Sequence, residues 1–154
     1  LMVSGMDVFA TILEHAGVGR TEQGLPSRSL MPVLTGSDLS DWGADAVFSE
    51  QEETRVIRTP KWAFFKRFNT RKTGFEDELF DVENDVGETT NLARDPAFAQ
   101  IKNALDAKLT AFFATYALDH ADLWKGGVPI QHSERKKLWS DAWGDSWQPV
   151  YRYD

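Results

Sequence analysis

The chain has 154 residues, 42% of them apolar and 27% charged, a globular composition long enough for one domain with its own core. A formal charge of −7 argues against a nucleic-acid binder, which presents a net basic face. With no cysteine there is no disulfide, thiolate metal site or thiol nucleophile, and no apolar run reaches the length of a membrane span. The opening residues Leu1-Met2-Val3-Ser4-Gly5-Met6-Asp7 contain no signal peptide and read as the middle of a longer protein. Periplasmic, secreted and cytoplasmic locations all stay open.

In chain order, Asp7 is the expected N-cap of a helix that carries Phe9, Ile12, Leu13 and Ala16 before Gly17 ends it. Residues 18–28 are rich in Gly, Pro and Ser and read as a loop. Ser29 to Leu34 fits a short helical turn limited by Pro32, and residues 35–45 are again loop-like. Ala46–Gln51, Thr54–Thr59, Lys61–Phe68 and Glu78–Val82 are short β-prone runs separated by turn-type or charged residues. They predict an antiparallel meander of three or four strands, the third with aromatics on both faces.

Asp95-Pro96 then marks a helix start, a capping carboxylate before a proline at the first helical position. Phe98, Ile101, Leu105, Leu109, Phe112, Phe113 and Tyr116 follow at helical spacing. Their stripe is wide enough to cover the meander, which gives an α+β fold: a small antiparallel sheet under a long C-terminal helix. Residues 118–154 hold four of the six Trp residues and the basic patch Arg135-Lys136-Lys137, and read as an extension that needs another surface. The expected division is 1–45, 46–117 and 118–154.

Candidate chemistry is sparse. Pro26-Ser27-Arg28 and Thr35-Gly36 echo a C-x-P-S-R nucleophile motif, yet Gly24 stands at the nucleophile position and the spacing to Thr35 is two residues too long. The acidic run Asp81–Glu88 fails as an EF-hand, with Val86 where Gly is needed and Leu92 where a bidentate Glu is needed. His15, His120 and His132 form no ligand pair, and Asp119, His120 and Asp122 suggest only a local hydrogen bond. Arg55 and Arg58 would point to opposite faces of one strand; one of them could reach an anionic ligand, but arginines on such a strand are more often solvated or paired with Asp or Glu. No activated nucleophile with its base is present, so the catalytic and metal assignments are both none.

Glu78-Leu79-Phe80-Asp81-Val82-Glu83-Asn84-Asp85-Val86-Gly87-Glu88-Thr89-Thr90-Asn91-Leu92-Ala93 resembles the E-L-Y-D-L-x-x-D-P-x-E-x-x-N-L-A block near the C-terminus of type I sulfatases, with Val86 for the usual Pro. Thr54–Trp62 is similar to the R-x-x-R-T strand pair that precedes it. Asp7–Leu13 is similar to the D-x-x-P-T-L-L helix, with Ala10 for Pro, and Gly24–Gly36 to the G-x-S-L-x-P-L-L-x-G segment. The ordered set spans roughly residues 3–117, as an alkaline-phosphatase-like sulfatase would have it, with a hint of heparan N-sulfatases.

The resemblance implies the C-terminal portion of a sulfuric ester hydrolase. Its first helix would belong to a missing α/β catalytic domain, which is the expected partner. Nucleophile, metal ligands and sulfate-handling residues would lie earlier, so calcium and formylglycine are implied for the full-length parent and no cofactor for this chain. A sulfated small molecule or saccharide is the implied substrate. If any residues here touch substrate, Glu50 and Arg55 are the first substrate-rim candidates, a structural or solvated role being the favoured reading of both. Two other readings stay open: a non-catalytic module binding carbohydrate or a subunit through its Trp-rich tail, and a fragment of a phosphate ester hydrolase of the same superfamily. Because the first helix and the tail would pack on the missing domain, exposed apolar surface and self-association of the chain, for example by exchange of the tail, are expected.

Overall fold

The computed structural model describes residues 1–18, 24–37, 39, 42, 45–51, 54–67, 76–118 and 122. The chain forms two compact units, Leu1–Tyr116 and Ala117–Asp154. The Trp residues and basic patch of the extension lie outside the described residues, as do Asp119 and His120.

Four strands follow one another in the first unit: β1 Val47–Gln51, β2 Thr54–Arg58, β3 Trp62–Arg67 and β4 Glu78–Asp81. They form one sheet in the order β1-β2-β3-β4, each neighbour antiparallel, so the meander is as expected. Register places Phe48 opposite Ile57, Ile57 opposite Phe64, and Phe64 opposite Leu79. Opposed residues share a face, so these four side chains make one apolar row across the sheet. Ile57, Phe64 and Leu79 are wholly buried.

The long helix explains that burial. A 3-10 turn, Pro96–Phe98, leads into helix Ala99–Tyr116, which lies against β2 and β3. The Asp95 carboxylate accepts the Ala97 N–H at 2.9 Å, the cap that Asp-Pro announces. Leu105, Leu109 and Phe113 recur every four residues and are buried; Phe112 stacks on Phe48 with ring centroids 4.0 Å apart. Each fully buried Leu or Phe contributes about 1.5–3 kcal/mol, so this apolar layer dominates the fold. Lys66–Asp106, Lys102–Asp77 and Lys108–Asp45 ion pairs fasten the helix at its flanks, but such part-exposed pairs contribute little.

The first helix, α1, spans Gly5–His15, and its cap differs from expectation. Ser4 is the N-cap: its Oγ accepts the Met6 N–H at 3.3 Å, while Asp7 Oδ2 accepts the Ser4 N–H at 2.8 Å. Asp7 is the third helical residue of this capping box, a reciprocal pair that satisfies more amides than a cap at Asp7 would. Asp7 and Ala10 face inward, whereas Phe9 and Ile12 are 55% and 61% exposed. The short helix α2, Met31–Leu34, has Pro32 in its first turn, and α3 denotes Ala99–Tyr116 below.

Candidate functional site

The residues that carry the strongest sequence signal hold backbone. Asp81 accepts both the N–H and the side-chain amide of Asn84, at 3.2 and 2.9 Å. Asp85 Oδ2 accepts the N–H groups of Thr89 and Thr90 at 2.9 and 2.8 Å, and its Oδ1 accepts the Thr89 hydroxyl. Backbone donation from Thr90 and Thr89 holds the Asp85 carboxyl below its ordinary 3.8, and the Asn84 side chain does the same for Asp81. Glu88, in the left-handed region at φ 51°, accepts from Arg58 at 2.6 Å. Asn91 reaches back to β4: its Oδ1 accepts the N–H of Leu79 and of Ala93, and its Nδ2 donates to the Asp77 carbonyl.

The front of the chain is knitted in the same way. Asp7, 1% exposed, accepts the Arg28 N–H on Oδ1 at 2.8 Å. Thr11 Oγ1 accepts the Leu30 N–H at 2.8 Å, so one face of α1 holds two amides of the following loop. The Arg28 guanidinium donates to the Trp42 carbonyl at 2.6 Å and lies 5.3 Å from that indole, whose Nε1 donates to the Met2 carbonyl. Ser27 is buried. Pro26-Ser27-Arg28 is therefore a tethered loop whose serine is enclosed, the opposite of an accessible nucleophile.

Glu50 and Arg55, the two candidate rim residues, are brought together. They sit opposite each other across the β1–β2 hairpin, and Arg55 Nε donates to Glu50 Oε1 at 2.8 Å. Arg55 faces α3: it is 7% exposed, with its Cζ 4.1 Å from the Phe113 ring centroid. Arg58 points to the other face, as the odd spacing requires, and is exposed there. A cleft of about 660 Å³ opens on that side, lined by Val3–Gly5, by all of β1 including Glu50, and by Val56, Arg58 and Phe65. A second hollow of about 220 Å³ lies between the start of α1 and Asp45–Phe48, closed by Phe112 and Tyr116. The Lys108 hydrogen bond holds the Asp45 carboxyl below its ordinary value there.

The residues lining the cleft carry the hydroxyls of Ser4 and Ser49, the Gln51 carboxamide, the Arg58 guanidinium and the Glu50 carboxylate, the last engaged by Arg55. Among the described residues no three His, Cys, Asp or Glu side chains are placed to hold a metal ion. The described residues therefore assemble no donor set for calcium, and Gly24, at the position where the motif would carry a formylglycine precursor, has no side chain to convert.

Residues 1–115 match the family described as N-sulphoglucosamine sulphohydrolase, C-terminal. The chain belongs to this family. Among solved structures, a 2-O GAG sulfatase matches at 26% identity and TM-score 0.60, over 74% of this chain and 25% of that one. A putative sulfatase from Bacteroides thetaiotaomicron gives the same values. A phosphonate monoester hydrolase of Agrobacterium radiobacter shares the fold at 22% identity and TM-score 0.56, over 71% and 24%. The chain thus spans about a quarter of the solved chains it matches. No curated protein sequence is significantly similar to it.

Seen as a sulphohydrolase C-terminal segment, the chain has a sulfatase signature that is architectural. Asp85, Glu88 and Asn91 each satisfy a turn or strand amide, or a cation, of this same unit. The Glu50–Arg55 contact follows from strand register. Two residues separate β1 from β2, and a two-residue hairpin sets residues 50 and 55 opposite each other.

Proposed function

We propose that this chain is the C-terminal part of a sulfatase-type sulfuric ester hydrolase, with a structural and pocket-rim role and no turnover of its own. The observation that carries the reading is the family match over residues 1–115, joined to solved sulfatase chains of which this segment corresponds to one quarter. The sheet and α3 would buttress an α/β catalytic portion that supplies the nucleophile, the metal ligands and the cationic groups around the sulfate. The apolar outer face of α1 supports this, since Val8, Phe9 and Ile12 are half-exposed or more. Glu50, at the cleft, would be the rim residue; Arg55, beneath α3, would hold it in place.

For the parent enzyme, a sulfated saccharide is the substrate class favoured here. One solved protein that shares this fold, at 23% identity and TM-score 0.58, is in complex with its substrate D-glucosamine-2-N,6-O-disulfate. The phosphonate monoester hydrolase favours the second reading, a phosphorus ester as substrate, because the same C-terminal fold accompanies that chemistry too.

The test is turnover. The purified 154-residue chain, given an aryl sulfate and calcium, should release no sulfate above background, and turnover above it would overturn the reading. Grafted in place of the last quarter of the 2-O GAG sulfatase, the chain should yield a soluble chimera that hydrolyses its sulfate ester. A chimera that folds but is dead, with the grafted host's own nucleophile intact, would count against the buttressing role.

A further inference from the structure

The two edges of the sheet are treated differently. Beyond β4, the Leu79 N–H donates to Asn91 and the Leu79 carbonyl accepts the Leu92 N–H at 2.8 Å, so the chain closes that edge itself. β1 pairs only with β2, and among the described residues no backbone group bonds to its far side. Alternate residues of an antiparallel strand turn their N–H and C=O away from the partner, so Val47–Gln51 presents unpaired backbone groups in a row. Ser49, Glu50 and Gln51 are exposed. The one charge on the strand, Glu50, is engaged by Arg55 and does not repel an approaching strand as a bare carboxylate would.

We propose that this edge binds β1 of a second copy of the chain, antiparallel, in a two-fold pair centred on Ser49. The inference does not depend on the sulfatase reading. β1 has five residues, and only the Ser49-centred register pairs all five. Val47 then meets Gln51, Phe48 meets Glu50, and Ser49 meets its own equivalent, with no like charges opposed. Centring on Glu50 sets two carboxylates face to face, which is destabilising, and pairs three residues of the strand; centring on Phe48 also pairs three. The contact is self-complementary and closed, as two-fold dimers require. It is also small, so association is weak and rises with concentration.

A charge-swap experiment tests the geometry. Ser49 is exposed, so Ser49→Lys and Ser49→Glu should keep the wild-type circular dichroism, with Ser49→Thr as a neutral control. Light scattering over a concentration series should show the wild type and Ser49→Thr passing from monomer to dimer. Each charged variant alone sets like charges opposite at the centre and should raise the dissociation constant about tenfold or more. An equimolar mixture of the two should restore dimers. A wild type that stays monomeric, charged variants that dimerise as well as wild type, or a mixture that fails to recover would each overturn the proposal. Loss of circular dichroism in one variant leaves the wild-type concentration series and the neutral control as the deciding measurements.

Discussion

The carboxamide oxygen of Asn91 accepts the backbone N–H of Leu79 at 3.0 Å, twelve residues back along the chain. The same side chain accepts from Ala93 and donates to the Asp77 carbonyl, so one residue spans the loop and the last strand. Leu79 is itself wholly buried beneath α3, which couples this polar clasp to the apolar core.

Asn91→Ala should therefore destabilise the fold by about 1–3 kcal/mol, the cost of stranding an edge amide whose neighbour is buried. Asn91→Asp keeps the acceptor for Leu79 and loses the donor to Asp77, and should fall between the two. Urea unfolding followed by Trp fluorescence measures both. Equal midpoints for Asn91→Ala and wild type would remove the clasp from the account.

The turn that Asn91 closes should respond to acid. The carboxyls of Asp81 and Asp85 titrate below their ordinary 3.8 because Asn84, Thr89 and Thr90 donate to their charged forms. A depressed native value means that the contribution is fully present above the unfolded value and lost as pH falls through the native one. Stability should thus be insensitive to these two groups from pH 7 down to about 5, then decline below about 4. Asp85→Ala removes one contributor, so its stability should fall less steeply across that acid range. Denaturant midpoints at stepped pH, compared between the two proteins, read the difference in slope.

How much of this was legible beforehand depends on the kind of signal. The four strands and the helix from Ala99 could be read because apolar periodicity is local and turn residues bracket each run. Asp7 was misread because an N-cap and the third residue of a capping box both favour a carboxylate. The choice rests on Ser4, three residues earlier, and on an amide contributed by Arg28. The outward direction of Phe9 and Ile12 was not legible from the helix pattern, which gives an apolar face but not its neighbour. Burial of Arg55 had a clue in Ile57, which shares its face of β2 and belongs to the core.

That burial carries a prediction that separates a supporting arginine from a ligand-binding one. Arg55→Met preserves bulk beside Phe113 while deleting the ion pair with Glu50, and should cost about 1–3 kcal/mol. Glu50→Gln leaves a hydrogen-bonding group on a partly exposed residue and should cost less, about 1 kcal/mol or under. The double variant should show a coupling of about 0.5–2 kcal/mol by denaturant unfolding. Additive effects would mean that the pair does not act as a unit, whatever its geometry.

The last prediction concerns α1, where inward and outward faces make opposite demands. Asp7 is enclosed and accepts the amides of Ser4 and Arg28, so Asp7→Ala strands two donors and should destabilise by about 2–4 kcal/mol. Phe9→Ser, on the exposed face, removes apolar area that water already reaches and should change stability by less than about 0.5 kcal/mol. Thermal unfolding of the isolated chain should therefore reveal a large shift for Asp7→Ala and almost none for Phe9→Ser. In the grafted sulfatase chimera the ranking changes if the outer face of α1 packs on the catalytic portion. There Phe9→Ser should become costly, by about 3 kcal/mol or more, as a buried aromatic lost from an interface. A Phe9→Ser chimera as stable as its parent would show that the apolar stripe of α1 is not the surface that meets the rest of the enzyme.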